Sequence, residues 1–170
     1  MRYCAIQSED IANGNGIGVS LYTQGCPHHC PGCFSQETWN YEGGFELTNE
    51  DKQNIIDLLS KPYINHFSIL GGEPLISRNL FSLACLIRQI KIQLPRIKIW
   101  IWTGYEFEEL VERIRTEGYL RFILENTDVI IDGPYLQEKR DITLKWRGST
   151  NQRVISCAKS LKHNHTILFN

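Results

Sequence analysis

Hydrophobic and polar positions along the chain switch between two periods. Gly18 to Thr23 is apolar and β-branched, which predicts a strand running into a cysteine-rich loop. Beyond Gly43-Gly44, Thr48 precedes Glu50 and Asp51 and an apolar face of Ile55, Ile56, Leu58 and Leu59. That pattern predicts a helix capped by Thr48 and stopped by Pro62. His66 to Leu70 reads as a short strand halted by Gly71-Gly72. From Asn79 to Leu94, the residues Leu80, Leu83, Ala84, Ile87, Ile90 and Leu94 recur at helical spacing. Ile97 to Trp102 is the next strand. Phe107, Leu110, Val111 and Ile114 mark a helix that Gly118 ends, and Tyr119 to Glu125 a further short helical stretch. Val129 to Asp132 returns to strand before Gly133-Pro134, and the segment after Gln152 reads as irregular.

Strands alternating with helices imply βαβ units, parallel strands and an α/β fold. A glycine-containing turn follows each strand: Gly25 to Cys33, Gly71 to Pro74, Thr103 to Tyr105, and Asp132 to Tyr135. In parallel α/β sheets and barrels the strand C-termini share one face, where ligands bind. Four such turns on that face point to a site. The 170 residues suit one domain, residues 1–170 with an irregular tail from about residue 153. An eight-unit barrel takes about 250 residues. The expectation is therefore a partial, open parallel β/α barrel of about four to six strands.

Composition narrows the class. The chain is 42% hydrophobic and 22% charged, as ordinary globular proteins are. A net charge of −1 leaves no electrostatic footprint for nucleic acid. No apolar run approaches a membrane span, and the first ten residues lack the apolar core of a secretory signal. The expected location is cytoplasmic.

Cysteine placement changes the picture. Cys26, Cys30 and Cys33 fall within one octet, whereas Cys4, Cys85 and Cys157 are scattered. In a reducing compartment, clustered cysteines bind metal or react more often than they form disulfides. Three thiolates are soft ligands suited to an iron–sulfur cluster or zinc. A structural zinc site needs a fourth protein ligand, for which His28, His29, His163 and His165 are the candidates. A cubane on three cysteines leaves one iron open to a small molecule. The spacing alone leaves cluster, zinc and bare loop as readings.

The Cys-x3-Cys-x2-Cys run after the first strand resembles the signature of radical S-adenosylmethionine enzymes, as does Gly71-Gly72-Glu73-Pro74 after the second. Within that superfamily, Cys30-Pro31-Gly32-Cys33-Phe34 with Thr38-Trp39 is similar to the activating proteins of anaerobic (class III) ribonucleoside-triphosphate reductase. Ile101 to Tyr105, Val129 to Gly133 and Trp146 to Gln152 extend the resemblance in the same order, over roughly Asp10 to Gln152. Asn13-Gly14-Asn15-Gly16 stands where the family pattern has Asn-Gly-Pro-Gly.

The resemblance implies a partial barrel of the radical S-adenosylmethionine type and a [4Fe–4S] cluster on Cys26, Cys30 and Cys33. S-adenosylmethionine would chelate the open iron and be cleaved by one electron to a 5′-deoxyadenosyl radical, which takes the α-hydrogen of a glycine in the partner reductase. It also implies a flavodoxin-like or other low-potential electron donor. Gly71 and Gly72 would let backbone approach the cofactor, and Glu73 would bond its ammonium. Gly32, Cys33 and Phe34 would lie beside it, with Phe34 against adenine. Tyr105 and Asp132 are candidates for supporting or ribose contacts. Trp146 and Arg147 are candidates for touching the reductase or the nucleotide cofactor region, and at least one of Trp100 and Trp102 should be core. An activase of the formate-lyase type and a zinc-stabilised adaptor are the competing readings.

Overall fold

A computed structural model describes residues 1–169. In chain order the elements are β1 Arg2–Asp10, β2 Gly18–Thr23, β3 Phe45–Glu46, α1 Asn49–Ser60, β4 His66–Gly71, α2 Ser77–Gln93, β5 Lys98–Trp102, α3 Phe107–Arg113, α4 Gly118–Glu125, β6 Val129–Asp132, β7 Arg153–Ser156 and α5 Cys157–His163. The fold is α/β, as the alternation predicts. One seven-stranded sheet has the order β3-β1-β2-β4-β5-β6-β7. The four central strands β2, β4, β5 and β6 are parallel, and β1, β3 and β7 add antiparallel edges.

Strand side chains alternate between faces with a period of two, and the two faces differ in chemistry. Val19, Leu21, Phe67, Ile69, Ile99, Ile101 and Ile130 join one hydrophobic cluster with residues of all five helices, including Leu59, Leu83, Leu110, Leu124 and Cys157. All the helices therefore cover the same face. The opposite face carries Ser20, Ser68 and a separate aromatic cluster in which Trp100, Val129 and Ile131 are buried. Trp100 stacks at 6.1 Å on Trp102 and meets Trp146 edge-on at 4.9 Å. Trp100 is thus core, as its strand position suggested.

The helix boundaries follow recognisable chemistry. Thr48 caps α1 reciprocally: its hydroxyl accepts from the Asp51 N–H at 3.1 Å, and its own N–H donates to Asp51 Oδ2 at 2.8 Å. Gly118 opens α4 rather than closing α3, which ends at Arg113.

Two corrections concern the ends of the chain. β1 was not expected, because register shifts at Tyr3/Ala5 and Gln7/Asp10 break its alternation. The segment from about residue 153 is not irregular. Arg153–Ser156 pairs with β6 as β7, and Cys157–His163 is α5. Long-range partners place β7: the Arg153 guanidinium binds Asp132 and Glu108. No helix among the described residues is long and apolar enough to cross a membrane.

Candidate functional site

The sheet's parallel core brings the four glycine turns together. A cavity of about 120 Å³ at the strand C-termini is lined by Cys26, Cys30 and Cys33 with Gly71, Gly72, Gly104 and Gly133. A wider cavity of about 650 Å³ adjoins it, sharing Cys33, Trp102, Tyr135 and Gln152 and adding Gly32 and Phe34. Every residue expected at the site from the cysteine loop and the first glycine turn lies on one of these two walls. Cys4, Cys85 and Cys157 line neither.

The cysteine loop is held by its backbone. Gly25 N–H donates to Thr38 O at 2.7 Å, and Cys33 N–H to Cys30 O at 3.0 Å. Ser35 N–H reaches the Cys33 sulfur at 3.4 Å. The Gly71–Glu73 turn is stitched to the approach of that loop, with Gly72 N–H donating to Thr23 O and Glu73 N–H to Gly25 O, both at 2.8 Å. Gly71 has φ +99°, and a side chain on Gly72 would meet the Gly25 carbonyl. These glycines are required by the close approach of two backbones.

Burial pushes the Cys26 thiol up to about 11, against the opposing pull of the His28 and His29 backbone amides on its sulfur. Burial likewise raises Cys30. Without a metal these groups are neutral thiols, and a metal must displace their protons. All six cysteines are free.

Glu73 is tied into the protein through its whole carboxylate. Its side chain is 0% exposed, and its carboxylate accepts from Leu75 N–H at 2.9 Å, the Thr103 hydroxyl at 2.8 Å and Gly104 N–H at 2.7 Å. His28 Nε2 adds a fourth contact at 2.9 Å. A carboxylate offers about four lone-pair sites, so these four contacts engage it fully within the protein and organise the turns around it. Asp132 is similarly committed to Phe107 N–H at 2.8 Å and to Arg153. Tyr105 packs between the His28 ring at 4.8 Å and the Arg113 guanidinium at 4.6 Å.

Trp146 is anchored within the protein and lines the wider cavity. Its ring joins the tryptophan cluster, and its Nε1 donates to Gly14 O at 2.9 Å. Arg147 donates to Gln152 O at 2.7 Å. Gln152 was noted only as the end of a motif. Its Nε2 donates to Gly133 O at 3.1 Å and its Oε1 accepts from Gly148 N–H at 2.9 Å, so it fastens the 146–152 loop over the β6 turn. Phe34 is 100% exposed at the rim of the wider cavity.

The donor set is one of soft thiols, which suits an iron–sulfur cluster or zinc: Cys26, Cys30 and Cys33 line one cavity. The histidines needed to close a zinc site are otherwise engaged. His28 binds Glu73, His29 stacks on Trp39 at 4.7 Å, and His163 and His165 belong to α5 and the segment after it.

A family profile described as a 4Fe-4S single cluster domain matches residues 12–155. The anaerobic ribonucleoside-triphosphate reductase-activating protein of Enterobacteria phage T4 is 40% identical over 157 residues, covering 92% of this chain and 94% of its own. The chain belongs to this family. Other anaerobic ribonucleoside-triphosphate reductase-activating proteins stand almost as near. That of Vibrio cholerae is 36% identical over 89% of this chain and 96% of its own. That of Salmonella typhimurium is 35% identical over 91% and 97%.

Proposed function

We propose that Cys26, Cys30 and Cys33 hold a [4Fe–4S] cluster with one iron open to S-adenosylmethionine, and that the chain places a glycyl radical on an anaerobic ribonucleoside-triphosphate reductase. The observation that carries this reading is three thiols around one cavity, walled opposite by the Gly71-Gly72 turn, with no fourth cysteine among the described residues lining it. Bound together, cluster and cofactor supply one-electron cleavage of the C5′–S bond and so the abstraction of a hydrogen atom from the partner's glycine.

The chain's own residues bind and position. The thiols give up protons to ligate iron. Gly71 and Gly72 bring backbone close to the amino-acid end of the cofactor. Glu73 holds that turn without touching the cofactor. Gly32 lies beside the nucleoside end, and Phe34 offers its exposed face to adenine. Trp102 and Tyr135 wall the passage between the two cavities.

The architecture fits a partial barrel of the radical S-adenosylmethionine type. All helices lie on one face of the sheet, as in a barrel, and its edge strands β3 and β7 remain apart. An open side would admit the partner's glycine. The chemistry calls for a low-potential donor of the flavodoxin kind, and free thiols suit a reducing cytoplasm.

The test is 5′-deoxyadenosine formation by the anaerobically reconstituted, dithionite-reduced protein with S-adenosylmethionine, alongside Cys30→Ala. Product from the wild type alone, and a glycyl-radical signal once the reductase is added, supports the reading. Zinc without acid-labile sulfide, or no product from a fully loaded protein with the reductase present, overturns it.

A further inference from the structure

Glu73 is a hub for three separate turns. Leu75 belongs to the turn after β4, Thr103 and Gly104 to the turn after β5, and His28 to the cysteine loop after β2. The first three groups are fixed donors and the carboxylate only accepts. His28 therefore donates from Nε2. This is the one side-chain link between the cysteine loop and the hub. His28 also lies midway between Cys26 and Cys30 in the chain, so the backbone joining these two thiols runs through it. Its imidazole has little freedom, since Tyr105 meets it edge-on and Gly104 lies so close that a side chain there would strike the ring.

We propose that His28 is a positioning residue that clamps the cysteine loop, through Glu73, to the Gly71–Pro74 and Thr103–Gly104 turns. The clamp fixes the loop backbone between Cys26 and Cys30, and with it the amides that face the cluster sulfurs, and so sets the reduction potential of the bound cluster. It also keeps the cysteine loop in register with the turn that receives the cofactor. Hydrogen bonds to cluster sulfurs tune reduction potentials; a donor turned away makes the cluster harder to reduce. The inference rests on the cluster reading proposed above.

The experiment compares wild type, His28→Leu, His28→Gln and Thr103→Val after anaerobic reconstitution. Iron and sulfide content, the midpoint potential without cofactor, and the change in the reduced-cluster EPR signal on adding S-adenosylmethionine are measured. His28→Leu is expected to load iron, to shift the potential to more negative values, and to need severalfold more cofactor for the same spectral change. His28→Gln, whose amide still donates, restores both. Thr103→Val removes one hydrogen bond from the same carboxylate but keeps the His28 link, so it lowers thermal stability and shifts the potential less than His28→Leu does. Should His28→Leu fail to fold, His28→Asn takes its place, being polar but too short to reach Glu73. A wild-type potential in the Leu or Asn variant, no rescue by Gln, or an equal shift in Thr103→Val overturns the proposal. A wild type that takes up no sulfide overturns the cluster reading itself.

Discussion

The Asp132 carboxylate and the Arg153 guanidinium meet at 2.5 Å across the β6–β7 pair, with the Asp132 side chain only 1% exposed. The same guanidinium reaches Glu108 on α3 at 2.6 Å, and Asp132 also accepts the Phe107 N–H that opens α3. One arginine thus fastens the last strand and a helix start to the end of β6. Removing its side chain leaves a buried carboxylate with only the backbone N–H groups of Phe107 and residue 153 for partners. Breaking a buried pair from one side costs about 3–5 kcal/mol. Arg153→Ala is expected to lose that order of stability in urea unfolding, and Arg153→Ala with Asp132→Asn to lose clearly less, because no uncompensated charge remains.

Glu108 gives the same arrangement a pH signature. Hydrogen bonding to Arg153 holds its carboxyl down at about 2, below its ordinary 4.5. The folded state therefore binds this proton more weakly than the unfolded chain. The resulting stability is present above about pH 4.5 and is lost as pH falls towards about 2. The side chain is 56% exposed, so water and salt weaken the effect. Glu108→Gln should lose this screened contribution at neutral pH and leave stability near pH 2 little changed, which flattens the acid limb of the profile. An unaltered acid limb would show that the pairing is absent in solution.

Both outcomes bear on what the sequence could disclose. β2, β4, β5 and β6 were legible because strands buried on both faces are nearly continuous apolar runs. β7 was not, because its four residues are placed by Asp132 and Glu108, far away in sequence. β1 was hidden by its bulges. At the site, the cysteine spacing and the glycine turns were legible because they are local. The direction of Glu73 was not, since Thr103 and Gly104 reach its carboxylate from 30 and 31 residues away. Trp146 looked like a docking residue for the same reason: its acceptor, Gly14 O, lies 132 residues earlier.

Gly72 tests the contact between the two backbones that frame the cysteine pocket. A methyl group there would strike the Gly25 carbonyl, and Gly25 is itself held by Thr38 O and by its φ of +92°. Neither strand end can yield cheaply, and overpacking of this kind costs about 1–3 kcal/mol. Gly72→Ala should lower the thermal midpoint and reduce iron uptake together. Gly118→Ala, at a position with open space around its Cα, should do neither.

Cluster assembly should depend on pH in a definite direction. Burial holds the Cys26 thiol near 11 and raises Cys30 as well, so both are protonated in the metal-free protein at neutral pH. Ligation releases those protons, and raising the pH therefore favours loading. Anaerobic reconstitution should proceed further at mildly alkaline than at mildly acidic pH, while Cys4→Ala, altered away from the cavity, retains the same dependence. Loading that is independent of pH would mean that the thiols ionise more readily than their burial implies.

Phe34 separates binding from stability. Its ring is 100% exposed at the rim of the wider cavity, so the folded protein gains almost nothing from it. Substitutions at such positions usually change stability by less than about 0.5 kcal/mol. Aromatic stacking on a base is worth about 1–3 kcal/mol, and each 1.4 kcal/mol is about tenfold in affinity. If adenine packs against this ring, Phe34→Ala should keep its melting temperature and bind S-adenosylmethionine about tenfold more weakly or worse, read from titration of the reduced-cluster spectrum. Phe34→Tyr should retain most of the affinity, because the ring face is unchanged. Equal affinity in all three proteins would assign adenine to another wall of the cavity, where Trp102, Tyr135 and Trp146 are the other aromatic surfaces.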